Sequence, residues 1–482
     1  MNALRPRIQM IQDRIGKWVE AAFAALLASC AAVSVADAVN LLRAPVQLDY
    51  EEGNILNAGL RIVHGLTPYP DPHGWPLVFN PYGPLAYLAT AALVKLFGVG
   101  FTAPRLLIVL LAVAVAGLLA ALLRHFGSSW PVAIGFASLF LCAPVVREWM
   151  AFLRVDLMGL ALALAGLCVF FLAPRHWYLA VVFFAAALFV KYSLLAAPAA
   201  CALYLIGKRD WKRLLQAAGT GAALLLGGFA AAQLWSAGHF AFHMFGTHPD
   251  PFQFSLYIEN LIQLFWEIPA LWGLAALAVI HAAWRREMAP HALYFLMALC
   301  GAVTVGKLGS NSNHLIELIA AICLCAGLGW NRFAGWVQAK GARAVSSLLL
   351  AGVAAAALLS FSFEFRTVDA AGCEQAYAFL RSHGDRVLSE NVGALLLSGK
   401  PVQLSNPYVY AQLVARAGWP DGPVRERLRS GQFDVVVLQD QEDGPFAPSD
   451  RWTPGILAEI QANYRQAGEF GCPEAELAFV HK

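Results

Sequence analysis

Long apolar stretches recur down most of this chain, separated by short turns with few charges. A first one runs from Val19 to Leu42, and others follow near 103–123, 130–146, 157–173, 176–190, 193–207, 214–236, 258–282, 290–306, 314–330 and 344–362. A segment of roughly 20 apolar residues is long enough to cross a bilayer as a helix. A water-soluble domain has no use for so many. The composition agrees: 59% of the residues are hydrophobic and only 13% charged, which places the chain among polytopic membrane proteins. A net charge of +3, with no long basic run, gives no basis for nucleic-acid binding.

The first stretch follows a basic leader containing Arg5, Arg7, Arg14 and Lys17. "LASC" ending at Cys30 and "ADA" at 36–38 resemble processing sites, but the apolar run continues past Cys30, so the segment reads as an uncleaved anchor. One further segment, "GPLAYLATAALVKLFG" at 83–98, is short and carries Lys95. Basic residues concentrate on the cytoplasmic side of membrane proteins. If 83–98 stays out of the bilayer, Arg124, Arg175, Lys208, Arg209, Lys212, Arg213, Arg285, Arg286, Arg332, Lys340 and Arg343 all share the side of the basic leader. If it crosses, the bias reverses. The expectation is therefore a mainly α fold: a polytopic bundle of about 11 spans with helices lying at the outer surface in the first outer loop, 43–102. The N-terminus is cytoplasmic, and the chain sits in the inner membrane of a bacterium.

After residue 365 the composition changes. Residues 366–482 carry charges, turn residues and strand-like runs such as "RVLS", "PVQL" and "FDVVVL", alternating with helical patterns. They read as a small periplasmic α/β domain with a mainly parallel sheet, following a 1–365 membrane domain. Cys373 and Cys472 fall in this outer part, where an oxidising compartment favours a disulfide; two free thiols are the alternative.

Charges beside membrane spans are costly and mark function. Under this topology they gather at the outer ends. "DYEE" places Asp49, Glu51 and Glu52 together, and any of the three is a candidate general base able to take a proton from an acceptor hydroxyl. Capping of a helix start by acids is the plainer reading. In "REWMAFLRVDLMG", Arg154 suits a phosphate, and Asp156 suits orienting that phosphate or a sugar hydroxyl. Lys191 and Lys307 are further cations at the same level, and they could equally snorkel to lipid headgroups. "GKLGSNSNHLIE" adds Asn313, His314 and Glu317, with Asn313 and Glu317 on one helix face. His239 and His243 have metal-ligand spacing, with His248 and Asp250 following, but the aromatic segment "HFAFHMFGTHPD" suits lipid contact better. No Gly-rich phosphate loop is present, so no nucleotide is expected.

"DYEEGNILNAGLRIVHGLTPYP", "NPYGPLAYLATAALVKLFG", "APRLL", "REWMAFLRVDLMGLALALAGL" and "FVKYSLLAAPAA", in this order, resemble the GT-C superfamily of polytopic glycosyltransferases. The closer likeness is to the bacterial protein mannosyl-, aminoarabinosyl- and galacturonosyl-transferase-like group. The resemblance implies juxtamembrane helices in the first outer loop and a polyprenyl-phosphate sugar as donor. It implies a catalytic acid at Asp49, with Glu51 or Glu52 as second member of an acidic pair. "FLRVD" corresponds to the group's Arg-x-Asp after the third span, and "NPYGPL" only partly to its Pro-Pro-Leu-type segment. It further implies inverting transfer to a glycan, lipid or protein acceptor of the cell envelope. No cofactor is required; a divalent metal is compatible with the chemistry but not expected. A transporter or flippase of a lipid-linked saccharide is the main alternative, and a sensor with a wall-binding outer domain is another.

Overall fold

The computed structural model describes residues 4–339, 343–440, 444–447 and 449–482. Lys340, one of the basic residues used for topology, lies outside the described residues. Among the described residues, fifteen α-helices make up most of the first part, with four short 3-10 or π turns between them. They are α1 (Leu4–Leu41), α2 (Tyr50–Val63), α3 (Pro84–Phe97), α4 (Thr102–His125), α5 (Trp130–Cys142), α6 (Pro144–Trp149), α7 (Asp156–Leu172) and α8 (Trp177–Leu188). There follow α9 (Ala196–Gly207), α10 (Trp211–Trp235), α11 (Phe254–Glu267), α12 (Pro269–Trp284), α13 (Pro290–Gly301), α14 (Ile316–Ala339) and α15 (Arg343–Leu359).

Among the described residues, four helical stretches are long and apolar enough to cross a membrane: Arg14–Leu41, Thr102–His125, Trp211–Trp235 and Ser312–Ala339. Two bent pairs pass together, α7 with α8 at 119° and α11 with α12 at 101°. The expected set of 11 uniform spans is not what this length criterion returns. The apolar helices α5, α9, α13 and α15 are shorter than a full crossing. The stretch 258–282, expected as one span, is broken. Pro269 has no N–H to donate, and it holds Ile268 at φ −137°, ψ 49°, outside the helical region.

The segment 83–98 forms α3, 14 residues long, which packs along the equally short α2. Gly59 of α2 permits that approach, since a Cβ there would sit 2.8 Å from Thr90. The helix α14 is the hub of the bundle. Its residues from Leu318 to Leu328 are buried between α12, α13 and α5.

The C-terminal part contains α16 (Cys373–Ser382), β1 (Val387–Ser389), α17 (Val392–Leu397), α18 (Pro407–Ala417), α19 (Gly422–Arg429), β2 (Val435–Gln439), α20 (Pro454–Asn463), β3 (Tyr464–Gly471) and β4 (Ala475–His481). The sheet order is β1-β2-β4-β3. Only β1 and β2 are parallel; β4 runs antiparallel to both β2 and β3, so the expected mainly parallel sheet is mixed. β3 and β4 follow one another as a hairpin, which needs no helical crossover and so pairs antiparallel. "PVQL" is not a strand of this sheet; Leu404 instead makes a single bridge to Leu77 of the first loop. Leu77 and Phe79 lie in the same apolar core as Leu388, Val436 and Leu438. Cys373 and Cys472 are joined in a disulfide that ties α16 to the end of β3.

Candidate functional site

The helix α2 starts at Asp49 through a capping box. The Asp49 side chain accepts from the Glu51 N–H, and Glu52 reaches back to the cap backbone. This local geometry separates the three acids. Glu52 turns inward and is fully buried. Its Oε1 accepts from Arg105 Nε at 2.8 Å and from the Leu153 N–H at 2.7 Å. Its Oε2 accepts from Arg105 Nη2 at 2.6 Å and the Leu48 N–H at 2.7 Å. Arg105 spends its remaining donors on the carbonyls of Ala44 and Val46. Glu52 and Arg105 therefore lock the start of α2 onto α4, and neither lines a cavity.

Asp49 and Glu51 face the other way, into a hollow of about 1430 Å³ including its open mouth. Asp49 Oδ1 pairs with Arg154 Nη1 at 3.0 Å, while its Oδ2 meets no protein donor among the described residues. Glu51 Oε1 accepts from Asn406 Nδ2 at 2.8 Å, and Glu51 Oε2 is buried with no donor in hydrogen-bond geometry among the described residues. Burial raises the pKa of both carboxyls. Arg154 opposes the rise in each, and the neighbouring acids add to it. Burial works against the Arg154 charge too, but Asp49 and the other acids around it outweigh that, so the guanidinium stays protonated.

Lys191, Lys307, Asn313 and His314 line the same hollow. Asp156 does not. It lies beneath, accepting from Lys191 Nζ at 2.5 Å and from Asn313 Nδ2 at 3.0 Å, and so aims both toward the cavity. Asn313 keeps a buried Oδ1 without a partner. His314 Nδ1 meets Thr304 Oγ1 at 2.9 Å. Glu317 sits one turn deeper, in a small pocket with Asp156, Lys191 and His314, and does not reach the main hollow. Lys307 has no ion-pair partner among the described residues.

Several lining groups carry no motif in the sequence. Tyr50, Tyr82, Tyr192, Tyr408 and Arg451 join the wall, as do His248 and Asp250. Tyr408 donates to Asp250 at 2.9 Å. Burial, with Lys307 and Lys191 adding to it, pushes His248 down to about 4, so it is neutral at physiological pH. His243 is used by the fold: its Nδ1 accepts from the Asn80 N–H and its Nε2 meets the Pro70 carbonyl at 2.8 Å. The signal that could have found Tyr408 and Arg451 is their side of the fold. The C-terminal part roofs the hollow, with the Tyr50 hydroxyl held by Asn406 and the Tyr408 N–H, and Arg451 stacked over the Tyr50 ring.

A helical membrane-type core, an acid-bearing first loop with short surface helices and a small α/β roof together make a fold already seen in a solved structure. The structure of ArnT from Cupriavidus metallidurans, solved bound to undecaprenyl phosphate, matches with a TM-score of 0.60 over 94% of this chain and 97% of that one, at 14% identity. The apo state of the same protein matches equally, with a TM-score of 0.60. No protein-family model matches the chain, and no curated protein matches it in sequence.

Proposed function

We propose that this protein transfers a sugar from a polyprenyl-phosphate donor to an acceptor hydroxyl at the outer face of the inner membrane. The observation that carries the reading is one hollow that holds two half-free carboxylates, Asp49 and Glu51, opposite three cations, Arg154, Lys191 and Lys307. The undecaprenyl phosphate bound by ArnT, a protein of the same fold, supports a polyprenyl-phosphate donor. The polyprenyl chain lies in the bilayer and its phosphate enters the hollow at headgroup level. With residues 366–482 in the periplasm, as the charge bias of the loops leads one to expect, the hollow they roof opens on that side.

In this reading the acceptor hydroxyl attacks the anomeric carbon. The proton passes to a carboxylate, the carbon–oxygen bond to phosphate breaks, and the electron pair leaves with the phosphate. Attack opposite the leaving group inverts the anomeric centre. Asp49 is the better base, because it lines the hollow and its Oδ2 carries no protein donor among the described residues. Glu51 shares the second place and orients the acceptor. Glu52 serves the base indirectly, by fixing the turn that presents it. Charge collects on the phosphate in the transition state, and pre-placed cations in a dry site lower the barrier there. Lys191 is held for this by Asp156, and Lys307 and Arg154 complete the set. Asn313 and His314 suit the sugar hydroxyls. The half-free acids and the cations facing them share one hollow at one end of the bundle, which favours transfer over transport; a carrier would need them at the bilayer midplane.

The test is a transfer assay with the full-length protein, a labelled undecaprenyl-phosphate sugar and an envelope fraction as acceptor. Label should move to the acceptor, with undecaprenyl phosphate released. A deletion strain should accumulate the lipid-phosphate sugar and make a glycan lacking one residue. An unchanged glycolipid profile in that strain, with no transfer in vitro, would overturn the reading.

A further inference from the structure

A second polar hollow lies at the opposite end of the bundle. Asn313 and Asn331 border the two hollows on one nearly continuous helical stretch, and 18 residues at 1.5 Å each put them about 27 Å apart. This hollow, about 1210 Å³ including its mouth, lies where the turns α9–α10 and α12–α13 meet the ends of α4 and α14. Lys208, Arg286 and Arg332 line it, against the one carboxylate of Glu287, which pairs with Arg332 Nη2 at 3.0 Å. Arg332 Nη1 is buried and has no partner among the described residues. His291 also lines it; it is only 4% exposed and both of its ring nitrogens lack a hydrogen bond. An imidazole buried with both nitrogens unmet is costly unless something enters to meet them.

Two backbone features point the same way. The helix α13 begins at Pro290 with no side-chain cap, so the cap supplies no partner for the N–H groups of its first turn, where His291 sits. Arg286 holds φ at +55°, a left-handed conformation that glycine adopts at no steric cost. An arginine kept there supplies a cation that glycine cannot. Phe126 and Tyr204 form the apolar side of the hollow, with the Lys208 ammonium 5.5 Å from the Tyr204 ring centre.

We infer that this hollow is a phosphate-binding site distinct from the sugar-transfer cavity, built for the headgroup of an anionic phospholipid in the facing leaflet. Basic pockets between membrane helices at that level select such headgroups over zwitterionic ones. His291 and the free Arg332 nitrogen meet the phosphate oxygens, Lys208 and Arg286 close over them, and the aromatic wall takes the acyl end. A soluble phosphate ester offers the same chemistry, and the experiment separates the two sources.

Full-length protein in detergent is titrated with short-chain phosphatidylglycerol, with phosphatidylcholine of equal chain length, and with inorganic phosphate, and bound adducts are counted by native mass spectrometry. Phosphatidylglycerol should bind at least tenfold more tightly than phosphatidylcholine. The Lys208→Gln/Arg286→Gln double variant, whose altered side chains are both exposed, should lose that preference. Lys307→Gln, in the other hollow, should keep it. Inorganic phosphate binding that the double variant abolishes, without phosphatidylglycerol binding, assigns the site to a soluble ester. Lys208→Gln alone reads the same effect, threefold or more, if the pair does not purify. Equal binding of both lipids with no phosphate binding, or an unchanged preference in the double variant, overturns the inference.

Discussion

Two charged clusters stand close together at the cavity end of this protein, and they differ in what their atoms have left to give. In one, Asp37 is fully buried and accepts from Arg147 Nε, Arg366 Nε and the Arg366 N–H, while Glu52 is closed around Arg105 and two backbone amides. Arg147 has spent its other donors on the carbonyls of Ser362 and Glu364. In the other, Asp49, Glu51 and Asn313 each keep an oxygen without a protein donor, and all three border the hollow. Burial of charge is common to both. Unspent hydrogen-bonding capacity is confined to the second, and only that capacity is useful to a substrate.

The comparison is broken most directly at Asp49. Asp49→Asn removes the base and keeps the shape, and should lower the transfer rate by about 10²–10⁴-fold. The thermal unfolding midpoint should stay near that of the parent, since an asparagine caps a helix as well as an aspartate. Undiminished transfer by this variant would take the base role from Asp49. The converse holds in the closed cluster. Glu52→Ala strands the buried Arg105 and should cost about 3–5 kcal/mol of stability, read by unfolding in detergent. If Glu52→Ala unfolds normally but transfers nothing, the division drawn between the two clusters is wrong.

Smaller effects sharpen it. Lys307→Gln removes the one cavity cation without an acid partner among the described residues, and should weaken donor binding by about 10–100-fold, at roughly 1.5–3 kcal/mol for a charged hydrogen bond. Its stability should not change, because no ion pair is lost. Smallest is a shift in pH dependence. The raised pKa values of Asp49 and Glu51 mean that protonation begins at a higher pH than for exposed carboxyls, so transfer should fall on acidification before pH reaches the usual range near 4. Arg154 is the charge that opposes this rise. Arg154→Gln should therefore move the acid limb further up, measured as residual rate against pH; a limb that moves down would contradict the assigned electrostatics.

What could be read from the sequence follows the range of the interaction. The start of α2 was legible because its cap, Asp49, and its reciprocal partner, Glu52, are three residues apart. The fate of Glu52 was not, because Arg105 stands 53 positions away and no local pattern joins them. The overall fold could be anticipated from the order of degenerate motifs, and the likeness in fold to ArnT bears that out. Pro269 was visible as a helix breaker, yet the apolar run across it concealed the 101° bend. Asp156 was expected to touch phosphate or sugar, but its carboxylate is occupied by Lys191 and Asn313, a contact set only once α7, α8 and the turn before α14 meet. The strand order escaped for the same reason: alternation along a strand shows which face is buried, not which neighbour it finds.

The shared core of Leu77, Phe79 and the C-terminal sheet has a practical side. A fragment cut after Phe365 would arrive with a bare apolar notch where these two side chains belong, and the membrane part left behind would carry an oily knob exposed to water. The roof is thus no detachable module to be grafted or crystallised alone. Any hinge that lifts it must drag the stretch from Trp75 to Phe79 along, because Leu77 is bonded through its backbone to Gln403 and Ser405. Opening for a bulky acceptor and re-aiming the loop that follows α2 are then a single motion.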